Sequence, residues 1–284
     1  MSVTLASGDL EATFFPEAGM IGASLKHRGE EVLGQRGGLE AYRAERKTMG
    51  IPLLYPWANR LSARRFEVAG RTVDIDPERT PIRLDGSGLP MHGLLGAHPG
   101  WEAEATATSL TARFDFAAHP ALLETFPFPH TLELDVTLDE TMLRIVTIVR
   151  GEVPIAFGWH PYLTLPNVER ADWHVEIPVT EQLALDDNML PTGERSATHV
   201  PAGPLGDRAF DDAYTAPSAP FALEGGGRRI ELAFEDGFPY AQVFAPPQDP
   251  LIAFEPMTAP TNALVTGTAA LHTQYSAAFS IRVA

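Results

Sequence analysis

Residues 131–149 read Thr-Leu-Glu-Leu-Asp-Val-Thr-Leu-Asp-Glu-Thr-Met-Leu-Arg-Ile-Val-Thr-Ile-Val. Leu132, Leu134, Val136 and Leu138 alternate with Glu133, Asp135 and Thr137, a period of two that sends every apolar side chain to one face of a strand. Asp139-Glu140 turns the chain, and Leu143 to Val149 runs back, which predicts an antiparallel hairpin. The same kind of segment recurs on both sides. Upstream, Leu10 to Phe15 and Ala23 to Leu33 read as strands, the second broken at Arg28-Gly29-Glu30, and Phe66 to Ile75 reads as a hairpin turning at Ala69-Gly70-Arg71. Downstream, Val153 to Phe157, Trp173 to Val179, Ile230 to Phe234 and Tyr240 to Phe244 read as strands. Long amphipathic helices are missing; Leu39 to Lys47 has helical propensity but ends at Met49-Gly50 and Pro52. Strand follows strand with no helix between, so the pattern predicts an all-β fold, a large antiparallel β-sandwich with few short helices, and argues against a parallel α/β sheet. A chain of 284 residues suits one large β domain spanning 1–284. Pro191 to Pro220, rich in Pro, Gly, Ser and Ala, is expected as a long surface connection that borders a site.

Composition excludes several functions. The formal net charge of −16 argues against a nucleic-acid partner, which needs clustered Lys and Arg, and against an anionic membrane surface. There is no cysteine, so disulfides, thiolate catalysis and Cys-ligated metals are out. No basic stretch followed by an apolar one opens the chain, and no apolar run is long enough to span a bilayer, so a cytoplasmic location is expected. The histidines form neither His-x-His nor His-Glu-x-x-His, and no Gly-x-Ser-x-Gly occurs, so neither a zinc hydrolase nor an α/β-hydrolase is indicated. Gly225-Gly226-Gly227 precedes a strand and reads as a turn.

Five segments can carry chemistry. Ile252-Ala253-Phe254-Glu255-Pro256 is an apolar run that ends on a carboxylate with a proline behind it. Pro256 cannot donate to a ladder, so the strand is expected to stop there and hold Glu255 at a rigid end, a fitting place for a general base. The same placement also serves a glutamate that caps a turn or pairs with an arginine. Gly50 to Leu61 delivers Asn59 and Arg60 side by side behind Tyr55 and Trp57, combining flat apolar faces with donors, as a sugar requires. The plainer alternative puts Trp57 in the core and Arg60 in a structural ion pair. His92-Gly93 is a turn whose glycine lets the backbone approach closely. In Trp159-His160-Pro161-Tyr162 a histidine, the side chain most easily poised near neutral pH, sits among aromatics. In Phe210-Asp211-Asp212-Ala213-Tyr214, paired carboxylates in a loop bind hydroxyls or form a solvated turn.

Taken together and in this order, Pro56-Trp57-Ala58-Asn59-Arg60, His92-Gly93, Trp159-His160-Pro161-Tyr162, Phe210-Asp211-Asp212-Ala213-Tyr214 and Glu255-Pro256-Met257-Thr258 resemble the motif order of the aldose 1-epimerase, or galactose mutarotase-like, family. The resemblance implies a β-sandwich of the mutarotase type with a cleft on one face, a small-molecule sugar substrate, and no metal or organic cofactor. It implies that Glu255 takes the proton of the anomeric O1 hydroxyl and His160 protonates the ring oxygen O5. It further implies that Asn59, Arg60, His92 and Asp211 hold hydroxyls or developing charge, with Gln242 a further contact. The chain departs from the galactose-specific pattern. Its histidine segment reads Gly-Trp-His160-Pro-Tyr-Leu-Thr-Leu rather than Asn-His-Thr-Tyr-Phe-Asn-Leu, Leu94 follows His-Gly, and Met257 stands where a glutamine is usual. These departures resemble a divergent branch and leave the sugar open; a phosphorylated hexose fits if Arg60, Arg64 or Arg65 faces the cleft. A sugar-binding module without catalysis is the alternative on the same fold. A glycosidase would need a second catalytic carboxylate, for which Asp211 is the one obvious candidate.

Overall fold

The structure, a computed structural model, describes residues 2–284. Two large antiparallel sheets face each other. The first has nine strands, with Thr131–Leu138, Met142–Pro154, Leu271–Val283 and Arg228–Asp236 consecutive at its centre. The second has eight strands, among which Phe210–Thr215, Tyr240–Ala245 and Ile252–Met257 are adjacent, followed by the short strands Gly158–Trp159 and Leu53–Leu54. A four-stranded sheet of Val3–Ser7, Leu10–Phe15, Ile21–His27 and Glu30–Glu31 and two small hairpins complete the β structure. The helices are short: Gly38–Glu45, Pro120–Thr125 and Ala263–Thr266.

The hairpin at residues 131–149 forms as its alternation requires. Leu132, Leu134, Val136 and Leu138 are buried, and Leu138 pairs with Leu143 across the turn. The strand then continues well past Val149 to Pro154, absorbing the start of the strand expected at Val153 to Phe157. The two large sheets meet through aromatic side chains. Phe254 stacks on Phe221 with ring centres 4.7 Å apart, Trp159 lies 5.7 Å from Phe279, and the Trp159 indole N–H donates to buried Thr147 at 3.0 Å. Because successive strand residues point to opposite faces, burying Phe254 between the sheets turns Glu255 to the outer face of the second sheet.

Three expectations need correction. Pro191 to Pro220 is not an unstructured connection. It contains Pro191–Ala197, Gly203–Pro204 and Phe210–Thr215; the exposed pattern of the first lacks the apolar alternation that marks a strand in sequence. The strand expected at Trp173 to Val179 is only His174–Glu176, preceded by a single 3₁₀ turn at Arg170–Asp172. Finally, the strand carrying Glu255 does not stop at Pro256 but runs to Met257. Proline is tolerated because one flank of that strand has a gap. Gly158 pairs with Met257, and Tyr162 and Leu163 pair with Ala253 and Ile252, which leaves Phe254, Glu255 and Pro256 without a partner on that side. The dipeptide His160-Pro161 occupies the gap.

Candidate active site

The gap brings His160 to Glu255. His160 Nε2 lies 3.1 Å from Glu255 Oε1, and the two side chains are 6% and 1% exposed. The imidazole is fixed on every side: its backbone N–H donates to the Pro52 carbonyl at 3.1 Å, its face stacks on Tyr162 at 4.1 Å, and Phe244 and His92 meet it edge-on. The strand pairing puts Gln242 opposite Glu255 and Asp211 opposite Phe244, so Asp211, Gln242, Phe244 and Glu255 share the outer face of the sheet.

Two loops roof this face. Tyr55 pairs with Gly93 and Arg60 with Met91, and the His92 N–H donates to the Asn59 carbonyl at 2.9 Å. Asn59 and His92 both sit in the left-handed region, at φ 52° and 63°. Such backbone is uncommon outside glycine and concentrates at functional sites. Gly93, at φ 74°, is obligatory: a Cβ there would fall 2.1 Å from the Tyr55 carbonyl oxygen.

Asn59, Arg60, His92, His160, Asp211 and Glu255 line one cavity of about 130 Å³. Buried polar atoms without a hydrogen-bond partner mark it out: Asn59 Nδ2, His92 Nδ1, His160 Nδ1 and Glu255 Oε2. A larger cavity of about 590 Å³, bordered by Arg195, Tyr240 and His272, has no such orphaned atom among the described residues. Unmet hydrogen-bonding capacity in a buried site is costly, and four such atoms converging on one cavity suit it to a polar partner better than size does.

Burial sets the electrostatics. It pushes the Glu255 carboxyl well above its ordinary 4.5, with Asp211 adding to the rise and Arg60 opposing it. Burial holds the His160 imidazole well below its ordinary 6.5, with Arg36 and Arg83 adding to the fall. Each group is driven toward its neutral form, while their contact favours the ion pair. The pair is therefore best described as holding one shared proton. His92 is likewise kept neutral, chiefly by burial and then by His160.

The remaining sequence candidates fall as follows. Gln242 does not line the cavity; its amide donates to Asp211 Oδ1 at 2.8 Å and holds that carboxylate in place. Asp211 and Asp212 are strand residues, not loop residues, and they diverge, with Asp212 accepting from Gln182 at 3.0 Å. Tyr55 and Trp57 belong to the core and line no part of this cavity; its aromatic lining comes from Tyr162 and Phe244 instead. Arg60 lines the cavity, its Nε tied to Asp85 at 2.9 Å, whereas Arg64 donates to the Gly88 carbonyl and Arg65 pairs with Asp74 elsewhere. Sequence reading missed Arg36, Thr48 and Arg83, which complete the lining. They lie in segments with no motif; backbone bonds of Gly34 and Gly50 to Tyr162 bring Arg36 and Thr48 near His160, and the pairing of Arg83 with Met91 brings Arg83. No group of three or more His, Asp or Glu among the described residues is placed to hold a metal ion. No helix among them is long and apolar enough to cross a membrane.

Comparison with known proteins follows the same lines. The aldose 1-epimerase family model matches residues 1–277. A curated relative, the uncharacterized protein YihR of Escherichia coli K12, is 26% identical over 145 residues, covering 49% of this chain. The match spans only 44% of that protein's length. Among solved structures, a galactose mutarotase-like protein from Clostridium acetobutylicum superposes with a TM-score of 0.84 at 17% identity, covering 100% of this chain and 95% of that one. Galactose 1-epimerase from Lactobacillus acidophilus NCFM gives a TM-score of 0.79 at 14% identity, covering 100% and 94%. At such identities the likeness establishes the fold.

Proposed function

The chain belongs to the aldose 1-epimerase family, and from that premise we propose that it interconverts the α and β anomers of an aldose by acid–base ring opening, with Glu255 and His160 as the working pair. One observation carries the reading: the two side chains touch at 3.1 Å in one cavity, with Oε2 of one and Nδ1 of the other unpartnered.

The chemistry conserves protons within the pair. Glu255 as carboxylate takes the proton of the O1 hydroxyl, and His160 as imidazolium gives its proton to O5. The C1–O5 bond breaks and C1=O1 forms. The pair has passed from carboxylate–imidazolium to carboxylic acid–imidazole and holds one proton throughout. Rotation about C1–C2 presents the other face of the aldehyde. O5 then attacks C1 and returns its proton to His160, while Glu255 gives its proton back to O1. In water the ion pair would lie far below the neutral pair. Burial penalises the ions and so narrows that gap, which lets the proton exchange run easily in both directions. Each positioned group contributes roughly 10²–10⁴-fold. Arg60, Asn59, His92 and Asp211 serve as donors and acceptors for hydroxyls and for charge on O1 during opening.

The test is exchange NMR or polarimetry on a panel of aldoses, with Glu255→Gln and His160→Ala beside the wild type. Each substitution should cut catalysed mutarotation by about 10²–10⁴-fold while sugar binding persists. Rates equal in all three proteins would refute the assignment. Sugar binding in a wild type that accelerates no mutarotation would make the chain a binding module.

A further inference from the structure

The cavity is built for more than a neutral ring. Arg36 Nη1 donates to the Tyr162 hydroxyl at 3.2 Å, that hydroxyl meets Thr48 Oγ1 at 2.7 Å, and Arg83 Nη1 donates to the same Thr48 oxygen at 3.2 Å. Two guanidiniums and two hydroxyls thus form a continuous arc on the wall of the cavity. Tyr162, the centre of the arc, stacks on His160, so the arc begins where the imidazole does. The cations are poorly compensated. Arg83, half-buried, makes no ion pair with any carboxylate among the described residues. Arg36 has only a loose contact with Asp249, at 3.8 Å, although its side chain is just 18% exposed. A half-buried guanidinium without an anion is costly to keep, and a bound anion would remove that cost. The placement is also notable in a chain of net charge −16, because a cation at contact distance outweighs a screened distant field.

We infer that this arc binds an oxyanion carried by the substrate, so that the enzyme acts on an aldose bearing a phosphate, sulfate or carboxylate group at its exocyclic end rather than on a neutral hexose. The inference rests on the acid–base reading for its orientation. With His160 at O5, the C5 carbon and its exocyclic arm lie on the imidazole side of the ring, the side on which Tyr162 and the arc are found. Arg36 and Arg83 each keep further N–H donors for the planar or tetrahedral anion, and the Thr48 and Tyr162 hydroxyls supply two more hydrogen-bonding groups between them. A neutral CH₂OH would leave Arg83 unpaired and gain nothing from either guanidinium.

The experiment compares glucose, glucose 6-phosphate, glucose 6-sulfate and glucuronate as substrates, with mutarotation read by exchange NMR above the uncatalysed background. At least one charged sugar should exceed glucose in kcat/KM by on the order of ten- to a hundredfold, the worth of a charge-assisted contact. That charged-to-neutral preference should collapse in Arg83→Gln and in Arg36→Gln, be partly kept in Arg83→Lys, and survive in Glu255→Gln, where both rates fall together. Glucose turned over as well as all three charged sugars would overturn the inference, as would a preference unchanged in both arginine variants. Calorimetry decides the case in which no sugar is turned over at all, when the acid–base reading fails but the arc is still tested. Glucose 6-phosphate binding that is lost in Arg83→Gln upholds the arc. No binding, or inorganic phosphate binding as tightly as the phosphorylated sugar, refutes it.

Discussion

A carboxylate and an imidazole in contact, both buried, hold one proton where the unfolded chain holds two, one or none according to pH. The linkage follows from the directions of the shifts. Above pH 6.5 both groups of the unfolded chain are deprotonated, while the folded pair keeps its proton, so stability falls as pH rises. The raised Glu255 contributes stability below its ordinary 4.5 that is lost as pH climbs through the folded value. Between 4.5 and 6.5 both states hold one proton and the pair is silent. Below 4.5 the unfolded chain holds two protons, and the depressed His160 makes stability fall with falling pH. Glu255→Gln removes the alkaline arm and makes the acid arm begin at 6.5, because the depressed His160 then has no carboxyl proton to offset it. Above pH 6.5 the wild type should therefore lose stability relative to Glu255→Gln, by up to about 1.4 kcal/mol per pH unit. Denaturant unfolding across that range provides the measurement, and parallel curves would mean that the pair keeps no proton. Catalysis by a pair that must hold one proton should likewise fade on both sides of a plateau in kcat/KM. Which residues formed the pair could be seen in the motifs. Their mutual contact could not, because it depends on a missing stretch of ladder that no local pattern encodes.

At the scale of elements, the site is a sheet face with a fitted roof, and each part should fail separately. Gly93→Ala drives a Cβ into the Tyr55 carbonyl at a left-handed position. It should cost on the order of 2–4 kcal/mol and lower activity further than lost stability explains, since it displaces His92 and Asn59 together. Thermal unfolding paired with mutarotation rates separates the two effects. Phe254→Ala acts from beneath the sheet: removing the ring stacked on Phe221 should cost about 3–5 kcal/mol, and the surviving folded protein should bind sugar less tightly because Glu255 is the next residue on that strand. The strands were legible wherever apolar residues alternate, as at Leu132 to Leu138. They were not legible at Pro191–Ala197, whose residues are almost all exposed, and at Ile252–Met257 only the end was misread, where a proline rule that holds for a fully paired strand was overruled by a gap in pairing.

Across the whole molecule, histidines sunk in the core set the acid limit. His130 accepts from the Tyr55 hydroxyl at Nε2 and donates from Nδ1 to the Phe128 carbonyl, both at 2.5 Å, and burial brings its ordinary 6.5 down to about 4. Its contribution is complete above pH 6.5 and is lost as pH falls toward 4, with His92 acting in the same direction. Stability should therefore drop between pH 6.5 and 4 by up to about 1.4 kcal/mol per pH unit for each. His130→Asn should be less stable at pH 7 yet show a shallower acid slope, and an unchanged slope would place its proton elsewhere. At this scale the fold class was the most readable feature, because strand alternation and the absence of long helices leave few architectures open. The arginine arc was the least readable: Arg36, Thr48 and Arg83 come from separate segments and share nothing until the loops close. The skipped rung beside Glu255 makes the centre of the molecule editable. Exchanging the two residues seated in it would rewrite the reaction while the knots on either side, Gly158 to Met257 and Tyr162 to Ala253, stay tied, so new chemistry can be stitched into this fabric without unpicking the cloth.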